Sequence, residues 1–214
     1  MKYVNFNPWV GEKYFTEGFC KIKLLILGES HYCSGNLSDS GKCAPICQKE
    51  KMESSCFDFT NDVMKEYLKC HDGLDWHNTF LSFERNLFNK NLSQIESRDF
   101  WDRVIFFNYI QFALPSAGVK PNDEFWVPSE KAFREILDYY MPDKIIAWGT
   151  RLCNGLPDWG RHHSIIQVDN YQTDIWKYTI KDKVIPVLKV HHPCCPKGKA
   201  REKWFKLYNK FLES

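Results

Sequence analysis

No apolar run in this chain approaches the length of a membrane span, so a helical membrane protein is excluded as its organising principle. The opening residues, Met1 to Trp9, lack the apolar core of a secretory signal. There is no internal repeat and no low-complexity linker, which removes solenoids and beads on flexible tethers. Nor is there a charge of one sign: the formal balance is +2, so no global basic field advertises nucleic acid. The nine cysteines are an odd number, and without an export signal reduced thiols in the cytoplasm are expected.

What remains is a length suited to one domain, residues 1–214, able to bury a proper core. Aromatic residues make up 16%, which favours an aromatic-lined pocket or surface. The charge is unevenly spread. From Lys189 onward seven basic residues face Glu202 and Glu213, a net of +5, which leaves the rest of the chain acidic.

The most informative stretch is Lys21–Tyr32. The apolar run Leu24–Leu27 stops at Gly28, and Glu29, Ser30 and His31 follow at once. Such a run, closed by glycine, reads as a buried strand of a parallel sheet, and ligands in open α/β sheets sit beyond the carboxyl ends of such strands. Around it the chain alternates. Strands are expected over 22–28, over 103–111 ending near Asn108, over 144–149 and over 184–190. Helices are expected after caps at Thr60, at Asn78 or Thr79, at Ser97 and at Ser129, with Pro142 stopping the last of these. A short helix should start at Thr150, and a final one should cover about 199–212. Residues 1–20 read as an irregular lead-in packing Trp9 and Phe15 onto the domain. Residues 165–168 and 175–180 suit an antiparallel ribbon, followed by a turn at Lys181–Lys183. This alternation predicts a three-layer α/β/α fold around a central, mainly parallel four-stranded sheet. Parallel strands would bring Glu29, Asn108 and the pair His191-His192 to one edge.

Those strand ends resemble the motifs of the uracil-DNA glycosylase superfamily. Gly28-Glu-Ser-His-Tyr32 is similar to its first motif, Phe107-Asn108 to its intermediate Asn, and Val190-His-His-Pro-Cys194 to its late His-Pro-Ser motif; Pro142–Gly149 resembles its third strand. The resemblance implies a glycosylase-like fold and hydrolysis of an N-glycosidic bond in base excision repair, with no cofactor. By it Glu29 would orient water beside C1′ and His192 would donate to the leaving base. Asn108 would read the base edge, Tyr32 would stand beside the pyrimidine ring and Phe59 would stack on it. Gly28, Ser30, His31, His191 and Pro193 would complete the substrate site, and Cys194, Lys197, Lys199 and Arg201 would meet the nucleic-acid backbone. The implied partner is single-stranded or damaged DNA, or a nucleotide. Three departures stand out: His31 replaces the motif's proline, Cys194 replaces its serine, and no Leu or Phe follows as a wedge.

A Cys-rich insertion at about 33–56 lies beside this motif. Cys33, Cys43, Cys47 and Cys56 could complete a zinc shell or, less readily, hold an iron–sulfur cluster, although their spacing lacks the tight C-x2-C knuckle of strong zinc sites; free thiols are the alternative. Two other functions fit the same residues. One is a catalytically inactive nucleotide- or nucleic-acid-binding module of this fold. The other is a metal-dependent hydrolase using Glu29 and His31.

Overall fold

The computed structural model describes residues 1–33, 54–70, 74–159, 162–194 and 201–214. Its strands are β1 (Trp9–Val10), β2 (Leu24–Gly28), β3 (Val104–Asn108), β4 (Lys144–Trp148), β5 (His162–Val168), β6 (Tyr171–Ile180) and β7 (Lys183–Val190). They form one sheet in the order β1-β3-β2-β4-β7-β6-β5. The inner pairs β3–β2, β2–β4 and β4–β7 are parallel, and every flanking pair is antiparallel.

The expected four strands are therefore the middle of a seven-stranded mixed sheet. β1 belongs to the lead-in expected to be irregular, where Trp9 and Val10 instead pair antiparallel with Phe106 and Ile105 of β3. The addition of β5 and β6 has a simple cause. The links β5–β6 and β6–β7 span two residues each, Asp169-Asn170 and Lys181-Asp182, too few for a crossover, so the ribbon folds back as hairpins onto β7. Lys181 and Asp182 both take positive φ there, 47° and 66°, the geometry of a two-residue hairpin turn.

β2 and β3 are buried along their whole length, as strands covered on both faces must be. Six α-helices are present among the described residues, packed on both faces. Leu24, Ile26, Phe106, Ile146 and Trp148 lie beneath α1 (Phe59–Lys69), α2 (Asn78–Phe88), α3 (Gln94–Trp101) and α6 (Arg201–Glu213). Leu25, Leu27, Ile105, Phe107, Ile145 and Ala147 lie beneath α4 (Trp126–Tyr140) and α5 (Thr150–Gly155).

All four expected caps are inside helices instead: α2 begins at Asn78 itself, and the hydroxyls of Thr60, Ser97 and Ser129 have been recruited by tertiary structure. Thr60 is buried in the first turn of α1 and bonds His31. Ser97 lies within α3, which is capped by Ser93 in a capping box with Glu96. Ser129 lies within α4, its Oγ accepting the Gln111 N–H at 3.0 Å. Phe15 packs at the surface, stacked on Tyr140 at 6.2 Å and 27°. It is exposed, while its neighbour Tyr14 fills the core and Trp9 donates its indole N–H to the Trp101 carbonyl.

The helices beside the site are tied together by one buried carboxylate oxygen. Glu84 Oε1 accepts from Tyr67 Oη, Ser97 Oγ and Trp101 Nε1 at 2.6–2.7 Å, joining α1, α2 and α3. Buried acids persist only when so satisfied.

Candidate functional site

Parallel pairing sets the inner strand ends side by side. Gly28 pairs with Asn108 and Trp148 with Val190, so the chain leaves β3, β2, β4 and β7 along one edge. Beyond Gly28 the backbone stays extended beside residues 109–114. Ile110 N–H donates to the Glu29 carbonyl and Leu114 N–H to the His31 carbonyl, both at 2.8 Å. Glu29 and His31, two residues apart, nonetheless meet different partners.

A cavity of about 590 Å³ opens at this edge, within the usual range for small-molecule sites. Gly28, Glu29, Ser30, His31, Tyr32, Phe59, Asn108 and His192 line it, drawn from four separate parts of the chain. Phe80, Phe106 and Trp148 supply apolar walls. Tyr32 and Trp76, 43% and 37% exposed, are the accessible rings.

His31 is fully packed. Phe59 stacks on it at 4.7 Å and 20°, and Phe6 meets it edge-on at 5.2 Å. Its Nε2 is 2.8 Å from Thr60 Oγ1. Asn108 Nδ2 lies 3.1 Å from one ring nitrogen and 3.2 Å from the other. Cε1 stands between those nitrogens in the ring plane, so an atom nearly equidistant from both sits above the ring. The amide thus rests on the imidazole, an N–H···π contact that a neutral ring favours. Burial pushes the His31 pKa down to about 3, which keeps it neutral. The other end of the amide is fixed by Gly28. A Cβ there would fall 2.1 Å from Asn108 Oδ1, so only glycine leaves room.

Glu29 stands in the opposite situation. Arg151, in the first turn of α5, grips both of its carboxylate oxygens: Nε donates to Oε2 at 2.7 Å and Nη2 donates to Oε1. The Glu29 side chain is 13% exposed and that of Arg151 37%.

His192 is solvent-accessible, yet enough protein surrounds it for desolvation to lower its pKa, against the upward pull of the Glu29 carboxylate. The Cys194 N–H donates to His192 Nδ1 at 3.3 Å. That contact places the proton of a neutral ring on Nε2, leaving an N–H donor.

The remaining expected site residues are placed as follows. His191 and Pro193 do not line the cavity; His191 Nδ1 is 3.4 Å from Thr150 Oγ1, and Pro193 is buried. Cys194 Sγ is 3.2 Å from Thr79 Oγ1, and Thr79 is on the cavity wall. Arg201, at the start of α6, donates to the Asn89 carbonyl. Lys197 and Lys199 lie outside the described residues. So do Cys43 and Cys47, while Cys33 and Cys56 are half-buried free thiols. Among the described residues no three His, Cys, Asp or Glu side chains are grouped as metal ligands would be, and no helix is long and apolar enough to cross a membrane.

Sequence reasoning missed Arg151, Thr60, Trp76 and Phe6. For Arg151 a signal existed: Gly149 closes β4 as Gly28 closes β2, and the residues after it face the same edge. Phe6 had none, because it reaches His31 through the lead-in, where Gln111 Oε1 accepts the N–H groups of Asn5 and Phe6.

No model of a known protein family matches this chain, and no curated protein matches it.

Proposed function

We propose that this protein binds a nucleobase in the cavity at the strand ends and hydrolyses its N-glycosidic bond, as a divergent member of the uracil-DNA glycosylase superfamily. The observation that supports the reading is the meeting of Glu29, Asn108 and His192 on one aromatic-walled cavity. Rupture of such a bond develops positive charge on the sugar and negative charge on the departing base. Glu29 is the anion for the first, and it would orient the attacking water. The neutral Nε2–H of His192 is the donor for the second, acting as a preorganised dipole rather than a proton source. Asn108, held between His31 and Gly28, offers an amide to the base edge. The substrate is a base already unstacked, in single-stranded or damaged DNA, since the stretch directly after the motif, residues 195–201, has no Leu or Phe to insert as a wedge.

Glu29→Gln should reduce uracil release from a single-stranded oligonucleotide at least ~100-fold while leaving the fold intact. Undiminished release would remove Glu29 from the mechanism.

A second reading is favoured by the Arg151 fork. It occupies both oxygens of Glu29, and a carboxylate so held is poorly placed to take a proton from water. A nucleotide-binding module without catalysis would have that arrangement. Tight binding of oligonucleotides bearing uracil, hypoxanthine or xanthine, with no base released from any of them, would decide for it.

A further inference from the structure

A guanidinium has more than one edge, and Arg151 uses only one of them within the protein. Its Nε and Nη2 are committed to Glu29, whereas Nη1 has no hydrogen-bond partner among the described residues. Arg151 is also the only arginine or lysine lining the cavity among those residues. Its side chain is 37% exposed, which places it at the rim, within reach of an incoming ligand. Thr150, next to it on the same wall, is exposed and carries a hydroxyl. Gly149 adds no bulk: a Cβ there would touch only the His192 Cβ, at 3.9 Å. The rim beside Arg151 is thus open and hydroxyl-bearing, and has one fixed cation.

The fork explains why that cation is so well placed. Glu29 pins the guanidinium plane from one side, which spares a bound anion the entropy of ordering a long side chain. A planar guanidinium with its outer N–H groups free suits a tetrahedral oxyanion.

We propose that the Nη1 edge of Arg151, with the Thr150 hydroxyl, binds a phosphate of the nucleotide whose base fills the cavity. The proposal rests on the nucleobase reading and extends it: the ligand is a phosphorylated nucleotide unit, free or within a strand, rather than a base or nucleoside.

Calorimetric titration with 2′-deoxyuridine and with its 5′- and 3′-monophosphates tests this. One of the monophosphates should bind about tenfold to a hundredfold more tightly than the nucleoside, the worth of a charge-assisted hydrogen bond or two. In Arg151→Gln, with folding checked by circular dichroism, that ratio should fall to near one. Arg151→Lys should keep part of it, because the charge survives and the fork does not. Inorganic phosphate should erode the advantage in the unaltered protein. A monophosphate advantage that persists in Arg151→Gln overturns the phosphate site alone. So does nucleoside binding with no monophosphate advantage. Failure of the nucleoside and both monophosphates to bind overturns the nucleobase reading as well.

Discussion

Glu29 and His31 are two residues apart on one extended segment, yet they have opposite fates. His31 is sealed between Phe59 and the Asn108 amide, neutral, and bonded to Thr60. Glu29 is forked to an arginine that is partly in water. The lesson is that a motif does not assign roles by residue type. Both side chains titrate in water, but one has become part of the packing and the other part of the site's field. This also bears on the idea of a Glu29–His31 pair activating water or holding a metal. His31 Nε2 is already engaged by Thr60, and Glu29 is engaged by Arg151.

The contrast can be tested at its strongest point first. His31→Ala removes a stacked ring, a buried hydrogen bond and the seat of the Asn108 amide. It should cost about 2–4 kcal/mol of folding stability in urea denaturation. A loss below about 0.5 kcal/mol, the usual range for surface substitutions, would mean the ring is not a packing element.

The second test is acid. In the unfolded chain His31 titrates near its ordinary value of about 6.5, whereas in the folded protein burial holds it down to about 3. Between those values the unfolded state takes up a proton that the folded state refuses. Stability is therefore fully present above about pH 6.5 and lost as pH falls, by up to about 1.4 kcal/mol per unit. His192, also lowered, adds in the same direction. Asp99, held at about 2 by Arg103 and Lys13, contributes only in more acidic solution. Denaturation midpoints at pH 7.5, 6 and 5 should show the slope, and His31→Gln should flatten most of it.

The smallest effect belongs to the charged pair. With Arg151 more than a third exposed, a double-mutant cycle of Glu29→Gln and Arg151→Met should give a stability coupling of about 0.5–1 kcal/mol. That coupling should shrink in high salt, whereas the His31 effects should not. A salt-insensitive coupling of several kcal/mol would mean the pair is far drier than its exposure indicates.

What the order of residues determines by itself is local and periodic. The runs ending at Gly28, Asn108, Gly149 and Val190 are apolar on both faces, and such strands have no stable place except a covered parallel sheet. Their carboxyl ends then share an edge, so the meeting of positions 29, 108 and 192 is legible in the sequence. Tertiary structure decided what those ends do to one another. Thr60, Ser97 and Ser129 look like caps in sequence, but each hydroxyl bonds a partner from across the fold. Strands β5 and β6 joined the sheet because two-residue links permit only hairpins. Arg151 reached Glu29, and Phe6 reached His31, through contacts between residues 122 and 25 positions apart. Whether an acid is paired or an imidazole neutral depends on which distant group arrives beside it, and no local pattern encodes that.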